Sequence, residues 1–244
     1  MPRFFVEPAD VVGNEIIIKG GDAYHIARSL RMAVGDGIDV SDGSGTEYVC
    51  TLSRIRDEEC VASIVEQRIS KRESPVRITL FMAIPKGDKL ETVVQKAVEL
   101  GASEIIPFES ERCIKRPVGD RAAKLVDRLG RIAHEAAKQC GRARLPRVGS
   151  IIGFTEMCRM QSDFELSLFC YEGEGTEPLR RVLEAKKKPE TISAIVGSEG
   201  GFSPREAEAV ISAGAVAVGL GPRILRCETA PEYVLSAISY AYEL

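Results

Sequence analysis

The sequence predicts an α/β protein in two parts, a small strand-rich barrel followed by a larger domain built on a parallel sheet. Three observations carry that prediction. Short alternating segments crowd the first third of the chain, apolar runs alternate with helical periodicity from Arg77 onward, and two late runs end in glycine-bearing loops that lead into helices. At 244 residues the chain is long enough to bury a sizeable core in one domain or two.

In the first part, strands are expected at Arg3 to Val6, Glu15 to Ile18, Ile38 to Val40, Thr46 to Arg54 and Cys60 to Arg68. Val12-Gly13-Asn14 and Ser41-Asp42-Gly43-Ser44-Gly45 mark turns, and a single helix is expected from Asp22 to Leu30. The polar, proline-bearing stretch Ile69 to Val76 separates a domain at residues 1–70 from one at 74–244. Ile78 to Ile84 then forms an apolar run. A helix follows, opened by Asp88 with Glu91 in a capping box, turning Leu90, Val93, Val94 and Ala97 inward and ending at Gly101. Glu104 to Phe108 completes a βαβ unit, which predicts parallel pairing.

Arg121 to Cys140 reads as a helix with an apolar face of Leu125, Leu129, Ile132 and Ala136. Arg121, Lys124, Arg128 and Arg131 share another face, continued by Lys138, Arg142, Arg144 and Arg147. Between Glu111 and Arg147 eleven Lys or Arg residues stand against Glu111, Asp120, Asp127 and Glu135, although the whole chain carries a net charge of −3. Either a solvated helix face or a polyanion-binding stripe fits that pattern. Further on, a short helix at Phe154 to Gln161, a strand at Phe164 to Cys170 and a helix from Pro178 to Lys187 are expected.

Seven cysteines are scattered without a Cys-x-x-Cys pair, and only His25 and His134 are available, so no metal site is expected. Free thiols, no apolar run of membrane-spanning length and no signal-like N-terminus predict a cytoplasmic protein without a membrane partner.

Gly197-Ser198-Glu199-Gly200-Gly201-Phe202 follows the apolar run Ile192 to Val196. Ser203-Pro204-Arg205-Glu206 then supplies N-cap, first-turn proline and capping box. A second loop, Gly219 to Ala230, follows Ala215 to Val218 and leads into a helix from Pro231 to Tyr242. Two such loops on consecutive parallel strands would share the carboxyl edge of one sheet, where open α/β folds hold ligands. Neither has Walker or dinucleotide spacing, which leaves an adenosine-bearing ligand held through backbone groups as a fitting occupant.

The sequence resembles the ribosomal RNA small-subunit methyltransferase E family of the SPOUT class nearly end to end. The resemblance rests on Pro2-Arg3-Phe4, the stretch His25 to Met32, Asp42-Gly43-Ser44, Arg72 to Pro75, Gln95 to Gly101, Glu111-Arg112-Cys113, Glu135 to Arg142, Gly197 to Ser203 and Leu220 to Ala230. The chain departs from the family's pattern at Ser198, usually proline, and at Cys227, usually threonine.

What the resemblance implies is a PUA-like barrel, a SPOUT domain closed by a C-terminal trefoil knot, a homodimer, and methylation of a uridine N3 in 16S rRNA of the small ribosomal subunit with S-adenosylmethionine. Implied cofactor contacts are Gly197, Glu199, Gly200, Gly201, Leu220, Gly221, Ile224, Leu225, Arg226, Thr229 and Ala230. Arg226 is expected to steady charge on the base, and Glu228 or Glu199 to accept its proton, unless either caps a helix or holds the adenosine ribose instead. RNA contacts are expected from Arg3, His25, Arg28, Arg31, Arg112, Lys115, Lys138, Arg142 and Arg144. Two other readings stay open: a SPOUT enzyme acting on a ribose 2′-oxygen or a tRNA base, and a non-catalytic RNA-binding or assembly factor.

Overall fold

The computed structural model describes residues 1–244 and divides into two compact units. One comprises Met1–Glu73 with Ala137–Leu145, the other Ser74–Ala136 with Pro146–Leu244.

The first unit is a six-stranded sheet of β1 (Arg3–Phe5), β2 (Val11–Val12), β3 (Glu15–Lys19), β4 (Gly37–Ser41), β5 (Thr46–Ile55) and β6 (Glu59–Ile69). Its order is β1-β4-β5-β6-β3-β2, antiparallel except for the β1–β4 pair. The two ends of this ladder do not pair with each other, so the expected barrel has an open seam. Alternation turns Ile16, Ile18, Ile38, Val40, Cys50 and Leu52 into one core with Phe4 and Ile26. The single predicted helix is instead a short α-helix, α1 (Gly20–Tyr24), continuing as a π-helical turn over His25–Ser29. Arg31 just beyond it has φ 51°, an uncommon left-handed conformation for a residue with a Cβ.

Segment 137–145 returns to this first unit through polar bonds. Glu73 pairs with the Arg142 guanidinium at 2.8 Å and accepts from the N–H groups of Ala143 and Arg144. The Ser41 hydroxyl donates to the Ala143 carbonyl at 2.7 Å, and Lys138 meets Asp22 at 2.8 Å.

The second unit is an all-parallel sheet of β7 (Arg77–Ala83), β8 (Glu104–Glu109), β9 (Arg147–Val148), β10 (Ile152–Gly153), β11 (Leu166–Cys170), β12 (Glu177–Pro178), β13 (Thr191–Val196) and β14 (Val216–Gly219). Its order is β10-β8-β7-β13-β11-β14-β12, with β9 beside the other end of β8. Helices α2 (Lys89–Glu99), α3 (Asp120–Cys140), α4 (Phe154–Arg159), α5 (Leu179–Ala185), α6 (Pro204–Ser212) and α7 (Thr229–Tyr242) complete it. Both faces of the central strands are covered, which is why β7 and β13 read as continuous apolar runs.

Between β11 and β13 lies a buried polar knot: the hydroxyls of Ser167 and Ser193 donate to Gln161 Oε1 at 2.8 and 2.7 Å, and the Gln161 amide donates to the Met157 carbonyl. Every polar group in it is partnered, so it fixes one register without leaving an orphan.

Two local expectations need correction. Asp88 precedes α2 but makes no capping bond, because its ψ of 10° is not the extended backbone that aims an N-cap side chain at the helix. Glu91, freed from any capping box, pairs with Arg128 of α3 at 2.7 Å. On α3, Leu129 and Ala136 are buried but Leu125 and Ile132 are only half-buried.

Candidate functional site

The site lies at the carboxyl edge of the parallel sheet. The two glycine loops do not leave neighbouring strands, as their order in the chain suggested; β13 and β14 flank β11. A third loop, after β11, therefore enters between them. Together they wall a cavity of about 780 Å³, within the range of small-molecule sites.

The first loop is anchored at both ends. Phe202 is buried against Phe169 in an edge contact at 4.8 Å and stacks on Phe108 at 6.3 Å. Ser203 then caps α6 in a full capping box with Glu206, whose other oxygen accepts the Glu111 N–H at 2.7 Å. The loop folds so tightly that a Cβ on Gly197 would stand 2.9 Å from the Phe202 ring, and one on Gly200 2.8 Å from the Arg112 Cβ. Gly201 has φ +61°, so this position also suits glycine on conformational grounds.

Arg112 clasps this loop by donating to the Gly200 carbonyl at 2.8 Å, and it lines the cavity. Nearby, Lys115 donates to the Gly87 carbonyl at 3.2 Å. Both residues were expected to contact RNA; the structure gives each a bond to a loop of its own unit.

At one side of the cavity sits a charged cluster that sequence reading missed. Lys89, in the first turn of α2, lies 3.0 Å from Glu199 of the first loop and 3.1 Å from Glu228 of the second, and donates to the Cys227 sulfur at 3.8 Å. The Cys227 thiol in turn donates to Glu228. Glu199 also accepts the Lys86 N–H at 3.2 Å.

Bonds to Glu199 and then Glu228 raise the Lys89 ammonium above its ordinary value. Burial pushes Glu199 up, but its own N–H, Lys89 and the Lys86 N–H outweigh it and leave a net lowering. Glu228 is lowered by its own backbone N–H against a smaller effect of burial, helped by Cys227 and Lys89. Cys227 is pushed up to about 12 by burial and by the adjacent Glu228 carboxylate, and stays a thiol. At neutral pH the cluster thus holds one cation and two anions.

Of the expected cofactor residues, Gly197, Glu199, Gly200, Gly201, Leu220, Gly221, Ile224, Leu225, Arg226 and Ala230 line the cavity. Thr229 does not; it is the exposed first residue of α7. Glu228 does not either; its carboxylate turns toward Lys89 and Cys227, which do line it. Arg226 is exposed on the lining, with its carbonyl accepting the N–H groups of Thr229 and Ala230. Sequence reading also passed over Tyr171, Glu172 and Thr176 of the third loop. The signal was present, since Glu172-Gly173-Glu174-Gly175 follows a strand just as the other two loops do.

In the first unit the expected RNA contacts divide. His25 and Arg31 are exposed, and Arg28 is exposed but engaged by Asp57 through Nε and Nη2. Arg144 is exposed and donates to the Ser44 carbonyl. Arg3 and Arg142 are a correction. Their side chains are only 5% and 6% exposed and face Glu47 and Glu73, so their guanidinium groups hold the unit together instead of meeting a phosphate. Lys138 is likewise largely covered in its pair with Asp22.

A parallel sheet with a glycine-lined cavity at its carboxyl edge, in a chain that also carries a small strand-rich unit, is the frame of an RNA-modifying transferase, and the chain matches models of that class. An RNA methyltransferase domain matches residues 72–239, and an RNA methyltransferase PUA domain matches residues 18–65. The chain belongs to the ribosomal RNA small subunit methyltransferase E family. It is 34% identical to the protein of that name from Bacillus subtilis, over 100% of this chain and 98% of the relative. Among solved structures it is similar to ribosomal RNA small subunit methyltransferase E from Neisseria gonorrhoeae bound to S-adenosyl methionine, with 34% identity, a TM-score of 0.87 and 98% and 97% of the two chains covered. A methyltransferase from Legionella pneumophila in complex with the same cofactor matches with 28% identity, a TM-score of 0.87 and 98% and 97% coverage.

No group of three His, Cys, Asp or Glu side chains is gathered to hold a metal ion, and no helix is long and apolar enough to cross a membrane. All seven cysteines are free thiols.

Proposed function

We propose that the protein methylates N3 of one uridine in 16S ribosomal RNA, using S-adenosylmethionine held in the three-loop cavity. The observation that carries this reading is that cavity itself, walled by the loops Gly197 to Phe202 and Leu220 to Cys227 that bear the family's longest motifs. Its residues fit the cofactor: glycines that admit a ligand to backbone groups, apolar Val196, Leu220 and Leu225 for a flat ring, and Glu199 for hydroxyl or cationic groups. When bound, S-adenosylmethionine supplies the methyl carbon, the electron pair of the broken C–S bond staying on sulfur while uridine N3 bonds to carbon and gives up its proton.

The protein's task is to hold the uracil ring in line and to stabilise its charge once the imide proton departs. Arg226, on the cavity wall, is placed to bond a developing uracil oxyanion. Of the two carboxylates, Glu199 lines the cavity and is the proton acceptor; Glu228 acts through its pair with Lys89. RNA phosphates are met by His25, Arg28, Arg31 and Arg144 in the barrel unit and by the exposed α3 residues Arg121, Lys124, Arg128 and Arg131.

The segment from Leu220 through α7 is the trefoil-knotted element of this reading. Supporting it, β13 sits between β7 and the earlier β11, and α7 packs on α2, α5 and β13. A homodimer is supported by apolar exposure on that same segment, where Ile224 is 83% and Tyr240 77% exposed. The enzyme works in the cytoplasm on the small ribosomal subunit.

Mass spectrometry of 16S rRNA from cells with and without the protein tests the reaction and its target. Loss of a single base-methylated uridine, restored by the protein, is expected; loss of a ribose 2′-O-methyl or of a tRNA mark would replace this reading by another of the same class. Arg226→Ala should abolish turnover while S-adenosylmethionine affinity stays within about threefold. Near-normal turnover would remove Arg226 from the mechanism.

A further inference from the structure

Lys89, outside the glycine loops, contacts both of them, and its surroundings say what it does there. An ammonium has three N–H donors. Three acceptors surround that of Lys89: Glu199 at 3.0 Å from the first loop, and Glu228 at 3.1 Å and the Cys227 sulfur at 3.8 Å from the second. Lys89 itself lines the cavity, and the two ion pairs hold its ammonium at the wall between the loops.

We propose that Lys89 is a positioning residue, a clasp that ties the two cavity loops together and, with Glu199 and Glu228, sets a net negative charge beside the cavity that favours a sulfonium ligand over its neutral thioether product. This rests on the reading of the cavity as the S-adenosylmethionine site.

Three features support it. The contacts join segments far apart in the chain, since Lys89 opens α2 while its partners follow β13 and β14. The N–H of Lys86, one turn earlier, binds the Glu199 carboxylate as well, so the same strand-to-helix connection grips the first loop twice. Finally, the carboxylates are held below the usual carboxylate range and the ammonium above its own, so the cluster keeps one positive and two negative charges through neutral pH. Arg112, Arg223 and Arg226 line the cavity with Glu172, but none makes an ion pair with this cluster, so the negative charge is confined to the Lys89 side of the cavity.

Methyl transfer turns the sulfonium of the cofactor into a neutral thioether, S-adenosylhomocysteine, and once Glu199 has passed the imide proton on to water the cluster regains both negative charges. A fixed negative cluster stabilises the sulfonium more than the thioether. The same cluster thus promotes exchange of spent for fresh cofactor, and Glu228, although off the cavity wall, contributes through its charge.

The test uses the full-length protein, calorimetric titration with S-adenosylmethionine and separately with S-adenosylhomocysteine, and hydrogen exchange without ligand. Lys89→Met should weaken both ligands by about tenfold or more and speed amide exchange in residues 197–203 and 219–228, because the loops lose their shared tether. Lys89→Arg, which keeps the charge and can bridge two carboxylates, should bind within about threefold of the parent. Glu228→Gln should lower the preference for the sulfonium ligand over the thioether while the helical content stays unchanged.

Ligand affinities within about twofold of the parent and unaltered exchange in Lys89→Met would overturn the clasp. An unchanged sulfonium-to-thioether ratio in Glu228→Gln would overturn the charge assignment, and that variant remains informative if Lys89→Met does not fold. Failure of the parent protein to bind either ligand would instead strike the reading of the cavity itself.

Discussion

Glu73 and Arg142 lie 69 positions apart in the chain and meet at 2.8 Å, each largely buried, with the other Glu73 oxygen taking the N–H groups of Ala143 and Arg144. This carboxylate fastens residues 142–144 to the barrel unit. Glu73→Gln should cost about 3 kcal/mol of stability in urea at neutral pH, because a buried guanidinium loses its counter-charge.

The pH dependence of that loss has a definite sign. Burial alone would raise Glu73, but the Arg142 charge and the two N–H groups hold it below the usual carboxylate range. A depressed folded-state value stabilises above the unfolded value and is lost as pH falls through the folded one. The gap in stability between the parent and Glu73→Gln should therefore be full at neutral pH and shrink on acidification below the unfolded carboxyl value. A gap that widens in acid would contradict the assignment.

Gly197→Ala places a methyl 2.9 Å from the Phe202 ring and 3.2 Å from the Gly201 Cα. The aromatic anchor of the first loop must shift, at a cost of about 1–3 kcal/mol in stability. S-adenosylmethionine affinity, measured by calorimetry, should fall with it. Gly153→Ala, where a Cβ meets nothing within 4 Å, is the control and should leave binding unchanged.

Ser203→Ala removes both the N-cap bond to Glu206 and the hydroxyl bond to Glu111 at 2.8 Å. About 1–2 kcal/mol of stability should be lost, read from chemical denaturation.

Arg131 and Arg142 were assigned to one positive stripe, yet Arg131 is exposed and Arg142 is buried against Glu73. Arg131→Ala should weaken binding to small-subunit RNA evenly and reduce the salt slope by about one unit. Arg142→Ala should instead lower the melting temperature of the barrel unit.

What could be read from the sequence was what neighbouring residues decide. Ser203, Pro204 and Glu206 specify the start of α6 within four positions, and they form the capping box that the spacing predicts. Asp88 and Glu91 have the same spacing, but the backbone at Asp88 is not extended and Arg128 of α3 takes the Glu91 carboxylate. Local pattern cannot see a distant competitor. The cavity loops were legible for the same reason as the first cap, whereas strand order was not, because nothing in β11 announces that it will stand between β13 and β14. Lys89 escaped notice because its meaning comes wholly from carboxylates more than a hundred residues away.

The arrangement of segments also dictates when each unit can be finished as the chain is synthesised. Glu73 has no partner until Arg142 has left the ribosome, so the barrel unit waits on residues that follow most of α3. The parallel sheet waits longer, because β13 sits between β7 and β11 and is encoded after both. Until residues 191–196 emerge, β7 and β11 each present an unpaired strand edge, and the other edge of β11 stays open until β14 follows.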